Sequence, residues 1–86
     1  MREEDFDATG ALRRNVALTV LVCRTDDSCH TVVVTDISRR GCQLKTETPF
    51  EIGEAITLKH EVLGDLSAQV RWSCAGRVGL EFERPI

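Results

Sequence analysis

The sequence predicts an all-β domain, built as a small antiparallel β-barrel of six strands. Apolar and polar residues alternate with a period of two in six short segments, and turn-forming residues separate these segments roughly every ten residues. No segment carries an amphipathic helical stripe, since a helix within residues 47–56 would have to contain both Pro49 and Gly53. Closure of the sheet into a barrel is favoured because it leaves no unprotected edge strands.

The six predicted strands follow one another along the chain with short connections. Each holds an alternating or β-branched run, and polar, glycine or proline residues end it. The predicted strands are residues 16–23, 31–35, 42–46, 56–60, 66–72 and 78–82.

Two details of the core can also be predicted from this pattern. In the fifth strand, the alternation places Leu66, Ala68, Val70 and Trp72 on the inner face. The loop that follows the third strand contains Phe50 and Ile52, and we expect both side chains to plug one end of the core.

The domain organisation is simple, because 86 residues suffice for one domain only. Residues 1–12 are acidic and show neither a helical nor a strand period, so we expect a flexible acidic N-terminal arm there. Residues 13–86 are then the barrel domain. A chain of this size more easily offers a binding surface than an enclosed active site.

Charge and hydropathy exclude several classes of function. The net charge is -3 and the pI is about 5.3, so there is no overall basic field for binding a nucleic acid polymer. No apolar run is long enough to span a membrane, and the N-terminus lacks the pattern of a secretory signal. We therefore expect a cytoplasmic protein with no membrane span, and any anion site must be local.

The cysteines and histidines indicate neither a metal site nor catalysis. An even number of cysteines, four, could form disulfides in a secreted domain, but without a sign of export we expect reduced thiols. Cys23, Cys29 and His30 do not match a zinc-binding spacing. His30 and His60 are the only near-neutral bases and belong to no catalytic motif, so we predict no metal, no cofactor and no enzymatic activity.

The turn between the second and third predicted strands is the best candidate for a ligand site. It carries Asp36, Ser38, Arg39, Arg40 and Gly41. Short polar side chains bond back to the main chain in turns, and glycine accepts a positive φ or a close approach by other atoms. On these residues alone, an ordinary strand connection remains an alternative to a binding site.

A second pair of arginines, Arg13 and Arg14, precedes the first predicted strand. If this strand begins near the turn, four guanidinium groups meet at one rim of the barrel. They would form a local anion site, suited to bidentate phosphate contacts and to stacking on planar bases. The alternative is that these arginines are solvated at strand ends.

The motifs together resemble a PilZ domain over residues 13–83. The resemblance rests on the segments that begin at Arg13, Val34, Gly53, Val70 and Gly79. It implies a six-stranded β-barrel that binds the bacterial second messenger cyclic di-GMP, a nucleotide-binding role in second-messenger signalling. The ligand would contact an Asp-x-Ser-x-x-Gly turn, matched by Asp36, Ser38 and Gly41, and an Arg-x-x-x-Arg arm before the first strand.

The arm departs from the family's pattern. Neither Arg13 nor Arg14 has an arginine four positions before or after it. Two hypotheses follow: a cyclic di-GMP receptor in which the adjacent arginines partly replace the arm and binding is weakened, or a degenerate PilZ-like module that binds an unidentified protein partner without cyclic di-GMP. On the first hypothesis, the ligand-binding residues are Arg13, Arg14, Asp36, Ser38, Arg39, Arg40 and Gly41.

Overall fold

The computed structural model describes residues 4–6 and 12–86, with side chains described from residue 15 onwards. This part of the chain is all β. Its strands are β1 (Glu4–Phe6), β2 (Leu12–Arg24), β3 (Cys29–Ile37), β4 (Gly41–Lys45), β5 (Ala55–His60), β6 (Gly64–Cys74) and β7 (Arg77–Phe82). Residues 4–6 and 12–86 include no helical segment with the length and hydrophobicity of a membrane span.

Strands β2 to β7 close into a six-stranded antiparallel barrel, as the sequence predicts. The order of strands is β2-β3-β4-β7-β6-β5, and β5 pairs again with β2. The long strand β2 makes this closure, because Leu21, Val22 and Cys23 pair with β3 on one side and with β5 on the other. A bulge between Asn15 and Leu18 shifts the register with β3, which bends the first half of the strand.

The first barrel strand begins at Leu12 rather than at Val16. Its extra residues pair with β1, in which Phe6 lies opposite Leu12. Strand β1 falls within the segment 1–12, for which the sequence predicts a flexible arm. The rest of that segment, residues 1–3 and 7–11, lies outside the described residues.

The inner faces of the strands form one apolar core, and the period of two in the sequence identifies most of its members. Leu44, Val22, Val70 and Val78 are the largest fully buried side chains. The remaining core residues are Val20, Val32, Val34, Cys42, Phe50, Ile56, Leu58, Ala68, Leu80 and Phe82.

The predicted plug at one end of the core is half right. Phe50 is buried, and the guanidinium carbon of Arg24 lies 4.4 Å from the centre of its ring. Arg24 also donates to the carbonyl of Pro49 and forms a 2.6 Å ion pair with Glu54. Ile52 is 72% exposed, so its predicted burial is wrong. The amide of Glu54 donates to the carbonyl of Glu51, so the chain turns at Ile52 and leaves its side chain outside the core.

The predicted burial of Trp72 is also wrong, because the register shifts between Val70 and Trp72. Val70 pairs with Leu80 on the inner face, whereas Trp72 pairs with Gly79 and is 39% exposed. Such a bulge moves every following side chain to the opposite face. The strict alternation of apolar residues therefore ends at Val70.

The expectation of four reduced thiols is wrong for two of the cysteines. Cys23 and Cys29 are directly opposite each other in the β2–β3 hairpin, with their Cα atoms 4.1 Å apart, and they form a disulfide. Cys42 and Cys74 are free. Burial raises the pKa of the Cys42 thiol from 9.0 to about 12, whereas Cys74 is exposed.

The disulfide, the buried thiol and the exposed thiol should react with an alkylating reagent under different conditions. Since the thiolate is the reactive form, native protein without reductant should incorporate iodoacetamide at Cys74 and exclude it from Cys42. Unfolding should expose Cys42, and reduction should then release Cys23 and Cys29. Mass spectrometry of the alkylated peptides checks this order, and fast native labelling of Cys23 or Cys29 would contradict the disulfide.

Candidate functional site

The β3–β4 turn is held by the side chain of Ser38. Its hydroxyl oxygen accepts hydrogen bonds from the amides of Arg40 (3.2 Å) and Gly41 (3.3 Å). The Ser38 amide donates to the carbonyl of Gly41 at 2.8 Å, which closes the turn. Ser38 is 9% exposed, so its first role in this structure is to fix the path of the main chain between the strands.

Position 41 requires glycine because β4 and β7 approach closely there, and not because the backbone has a positive φ. Positive φ values among the glycines occur at Gly53, Gly64 and Gly76. A Cβ on Gly41 would lie 2.0 Å from the carbonyl oxygen of Leu80, far inside contact distance. The missing side chain lets β4 lie against β7 at this point, and the turn is thereby pressed onto the wall of the barrel.

Asp36 lies on the outer face because of a second bulge. The register between β3 and β4 shifts between Val34 and Asp36, where Val34 faces the core opposite Leu44 and Asp36 pairs with Gln43. Asp36 is half-buried and also pairs with Asn15 of β2. Its carboxylate therefore belongs to a row of outward residues that crosses the strands beside the turn.

Arg39 and Arg40 are exposed at the tip of the turn. Neither forms an ion pair with a carboxylate among the described side chains. The Arg39 Nε atom donates to the carbonyl of Ile86 at 3.2 Å, and the Arg40 carbonyl accepts from the amide of Phe82 at 2.7 Å. Two guanidinium groups that form no ion pair with a described side chain give the turn a local positive potential in an acidic protein.

The sequence predicts that the two arginine pairs lie close together, and the structure shows the main chain at both pairs. Arg14 pairs with Ile37, the residue before Ser38, so the start of β2 runs beside the turn. The side chains of Arg13 and Arg14 lie outside the described residues, and their part in a site stays a prediction.

Trp72 is a candidate site residue that the sequence reasoning assigned to the core. Its indole covers Gly79, where an added Cβ would lie 2.1 Å from Nε1 and 2.4 Å from Cε2. Gly79 pairs with Gln43, which pairs with Asp36, so the indole lies in the same row as the carboxylate. At ordinary strand spacing, Asp36 and Gly79 are about 10 Å apart. The signal in the sequence is limited to a single tryptophan in one predicted strand and a glycine in the next.

The surroundings of the indole are polar and charged. Arg71 forms a 3.0 Å ion pair with Glu81. Lys45 and Arg77 are exposed, lie directly opposite each other on β4 and β7, and form no ion pair among the described side chains. Like charges in that position are destabilising unless an anion lies nearby. The face around Trp72 is thus aromatic and locally cationic.

Two surface depressions lie among the described residues, with volumes of about 290 and 370 Å³. The lining of the first includes Thr46 and Arg77, and that of the second includes Thr19 and Lys59. No group of three or more His, Cys, Asp or Glu residues within the described part of the chain could hold a metal ion. Recognition at the turn would therefore depend on charge, hydrogen bonds and stacking.

Comparison with known proteins identifies the family. Residues 11–86 match the family model of the PilZ domain. One similar solved structure is the crystal structure of the PilZ domain of CeSA from a cellulose-synthesizing bacterium, with a TM-score of 0.72 and 20% sequence identity over 86% of this chain and 82% of that chain. At that identity the likeness establishes the fold. No curated protein matches the sequence significantly.

The close approach at Gly41 predicts a large effect for a small substitution. Gly41→Ala should lower the free energy of unfolding by about 1–3 kcal/mol, because its methyl group would overlap the Leu80 carbonyl and separate β4 from β7. Urea unfolding followed by tryptophan fluorescence measures this loss.

A matched control for Gly41→Ala is Gly53→Asn. Gly53 has a φ of +89° and nothing within 4 Å of an added Cβ. Asparagine tolerates positive φ, so we expect this variant to lose no more than about 1 kcal/mol. Equal stability of Gly41→Ala and the unmodified protein would show that the β4–β7 approach is not a constraint.

Proposed function

The chain belongs to the PilZ domain family, and we propose that it is a receptor domain for cyclic di-GMP. The observation that carries this proposal is the β3–β4 turn, in which Asp36, Ser38 and Gly41 match the family's turn motif. Ser38 holds the turn from inside, and Gly41 seats it on β7. Arg39 and Arg40 project outward from a main chain that is already fixed.

Each part of the turn suits a different group of the ligand. Guanidinium groups bind phosphate oxygens with two parallel hydrogen bonds, which assigns the phosphates to Arg39 and Arg40. The Watson–Crick edge of guanine offers adjacent N–H donors, and a carboxylate accepts two such bonds. We therefore assign a guanine edge to Asp36, whose bulged position turns it to the outer face.

Arg13 and Arg14 complete the proposed site from β2. Their main chain runs beside the turn, since Arg14 pairs with Ile37. The family's arm has two spaced arginines, whereas this chain has adjacent ones. Loss of one charge-assisted contact costs about 1.5–3 kcal/mol, which corresponds to about one to two decades in affinity. We propose weakened rather than abolished binding.

Trp72 supplies a stacking surface for a guanine base in this proposal. The indole is exposed, fixed over Gly79, and lies in the row that contains Asp36. Stacking of a base on an aromatic ring is worth about 1–3 kcal/mol, which offsets part of the loss at the arm. Lys45 and Arg77 add positive charge on the neighbouring residue pair.

The proposed role is recognition and not catalysis. PilZ domains are binding domains rather than enzymes. We propose that this protein acts in the cytoplasm and passes the signal to a protein partner. The alternative function, a module that binds its partner without cyclic di-GMP, is favoured by the incomplete arginine arm.

Calorimetric titration with cyclic di-GMP separates the two functions. The unmodified protein should release heat on binding. The Arg13→Ala/Arg14→Ala double variant should bind at least about tenfold more weakly, because it loses charge-assisted phosphate contacts. Asp36→Ala should lose affinity to a similar degree, through the guanine edge.

The control for this titration is Lys59→Ala, which removes an exposed cation of β5 whose 4.0 Å contact with Asp65 lies away from the turn. Its affinity should equal that of the unmodified protein. No heat from the unmodified protein at millimolar ligand would reject the receptor function and leave the ligand-independent module.

The single tryptophan of the chain predicts a direct optical signal. Stacking of guanine on Trp72 should quench its fluorescence, and the quench should saturate at the calorimetric affinity. Trp72→Ala should weaken binding about five- to a hundredfold. Gly79→Ala should also weaken binding, because its Cβ would overlap the indole and tilt it off the strand.

The matched control is Ile52→Ala. Ile52 is a more exposed apolar side chain than Trp72, and it lies in the loop between β4 and β5. Its affinity should be unchanged. A saturable calorimetric signal without any change in Trp72 fluorescence, together with full affinity of Trp72→Ala, would remove the indole from the site.

A further inference from the structure

The segment that follows β7 returns to the tip of the β3–β4 turn. The amide of Ile86 donates to the carbonyl of Arg39 at 2.9 Å, and the Nε atom of Arg39 donates to the carbonyl of Ile86 at 3.2 Å. One residue thus binds both the main chain and the side chain of Arg39. Before it, the amides of Phe82 and Glu83 anchor the segment to Arg40 and Ser67.

This pair of hydrogen bonds treats the two adjacent arginines differently. Arg39 has its guanidinium tied at Nε, whereas no described residue bonds to the guanidinium of Arg40. A hydrogen bond at Nε leaves the two terminal nitrogens of Arg39 directed away from the bond, and these can still grip two phosphate oxygens. The contact therefore orients the side chain without using up its phosphate-binding edge.

We propose that the main chain of Ile86 is a positioning element for Arg39 in the anion site, holding its guanidinium ready for a phosphate of the nucleotide ligand. The inference rests on the proposed function, because it assigns Arg39 to a phosphate. An arginine held in advance loses less rotamer freedom when the ligand arrives, so binding is tighter. Arg40 has no such support and serves as an internal comparison.

The test changes the main chain of residue 86 and leaves the arginine in place. Ile86→Pro removes the amide that donates to the main-chain carbonyl of Arg39, so residue 86 is released from the turn and its carbonyl no longer holds the Nε atom of Arg39. By calorimetry, cyclic di-GMP should bind this variant about three- to tenfold more weakly, the worth of one hydrogen bond. Ile86→Val keeps both main-chain groups and should bind as the unmodified protein does.

A double-mutant cycle distinguishes positioning from a general structural effect. In an Arg39→Ala background, Ile86→Pro should cause no further loss of affinity. In an Arg40→Ala background, the full loss from Ile86→Pro should persist. Nuclear magnetic resonance of the arginine Nε–H group adds a readout that needs no ligand: the Arg39 signal should exchange more slowly with water in the unmodified protein than in Ile86→Pro.

The possible outcomes separate the two proposals. If the unmodified protein binds cyclic di-GMP and Ile86→Pro binds equally well, the positioning role is rejected while the receptor function stands. Tighter binding by Ile86→Pro also rejects it, since the segment would then compete with the ligand for Arg39. If the unmodified protein does not bind, both proposals fail, whatever the Nε–H exchange shows.

Discussion

The contact between Gly41 and the carbonyl of Leu80 is the constraint on which the rest of the site depends. Because Gly41 has no Cβ, β4 packs against β7 at the very residue where the β3–β4 turn ends. The Arg40 carbonyl then reaches the amide of Phe82, and the turn becomes part of the barrel wall. The Ser38 hydroxyl accepts hydrogen bonds from the amides of Arg40 and Gly41, so these main-chain groups are satisfied inside the turn. The side chains of Arg39 and Arg40 are then exposed on an ordered main chain. Arg39 and Arg40 owe their positions to this packing.

Strand pairing in the barrel is regular around the core and is interrupted by register shifts next to the candidate site residues Asp36 and Trp72. Three register shifts interrupt its ladders: after Asn15 in β2, after Val34 in β3 and after Val70 in β6. The second precedes Asp36 and the third precedes Trp72, so each shift delivers a chemically useful side chain to the outer face. Bulges commonly redirect side chains beside binding sites. Here two of them place a carboxylate and an indole in one row across β3, β4, β7 and β6.

These irregularities also mark the limit of prediction from the sequence. A period of two identifies the strands and most of the core, because burial on one face is the main force that selects those residues. A bulge breaks that period without a distinctive residue, so Trp72 was assigned to the wrong face. The Cys23–Cys29 disulfide was missed for a related reason: it depends on the two residues being opposite each other, and register is a property of two strands together. The turn, in contrast, could be found because its polar residues and glycine are needed at fixed positions.

The incomplete arginine arm bears on how such a surface could still bind an anionic ligand. Affinity depends on the number of contacts and also on the freedom that the protein loses in making them. In this structure Ser38 accepts hydrogen bonds from the amides of the turn, Ile86 bonds to Arg39, and the indole of Trp72 lies over Gly79. A missing guanidinium removes one contact, but ordered groups keep more of the energy of the contacts that remain. The turn held by Ser38 and the indole that lies over Gly79 are therefore the two features of this surface on which the proposed weakened receptor depends.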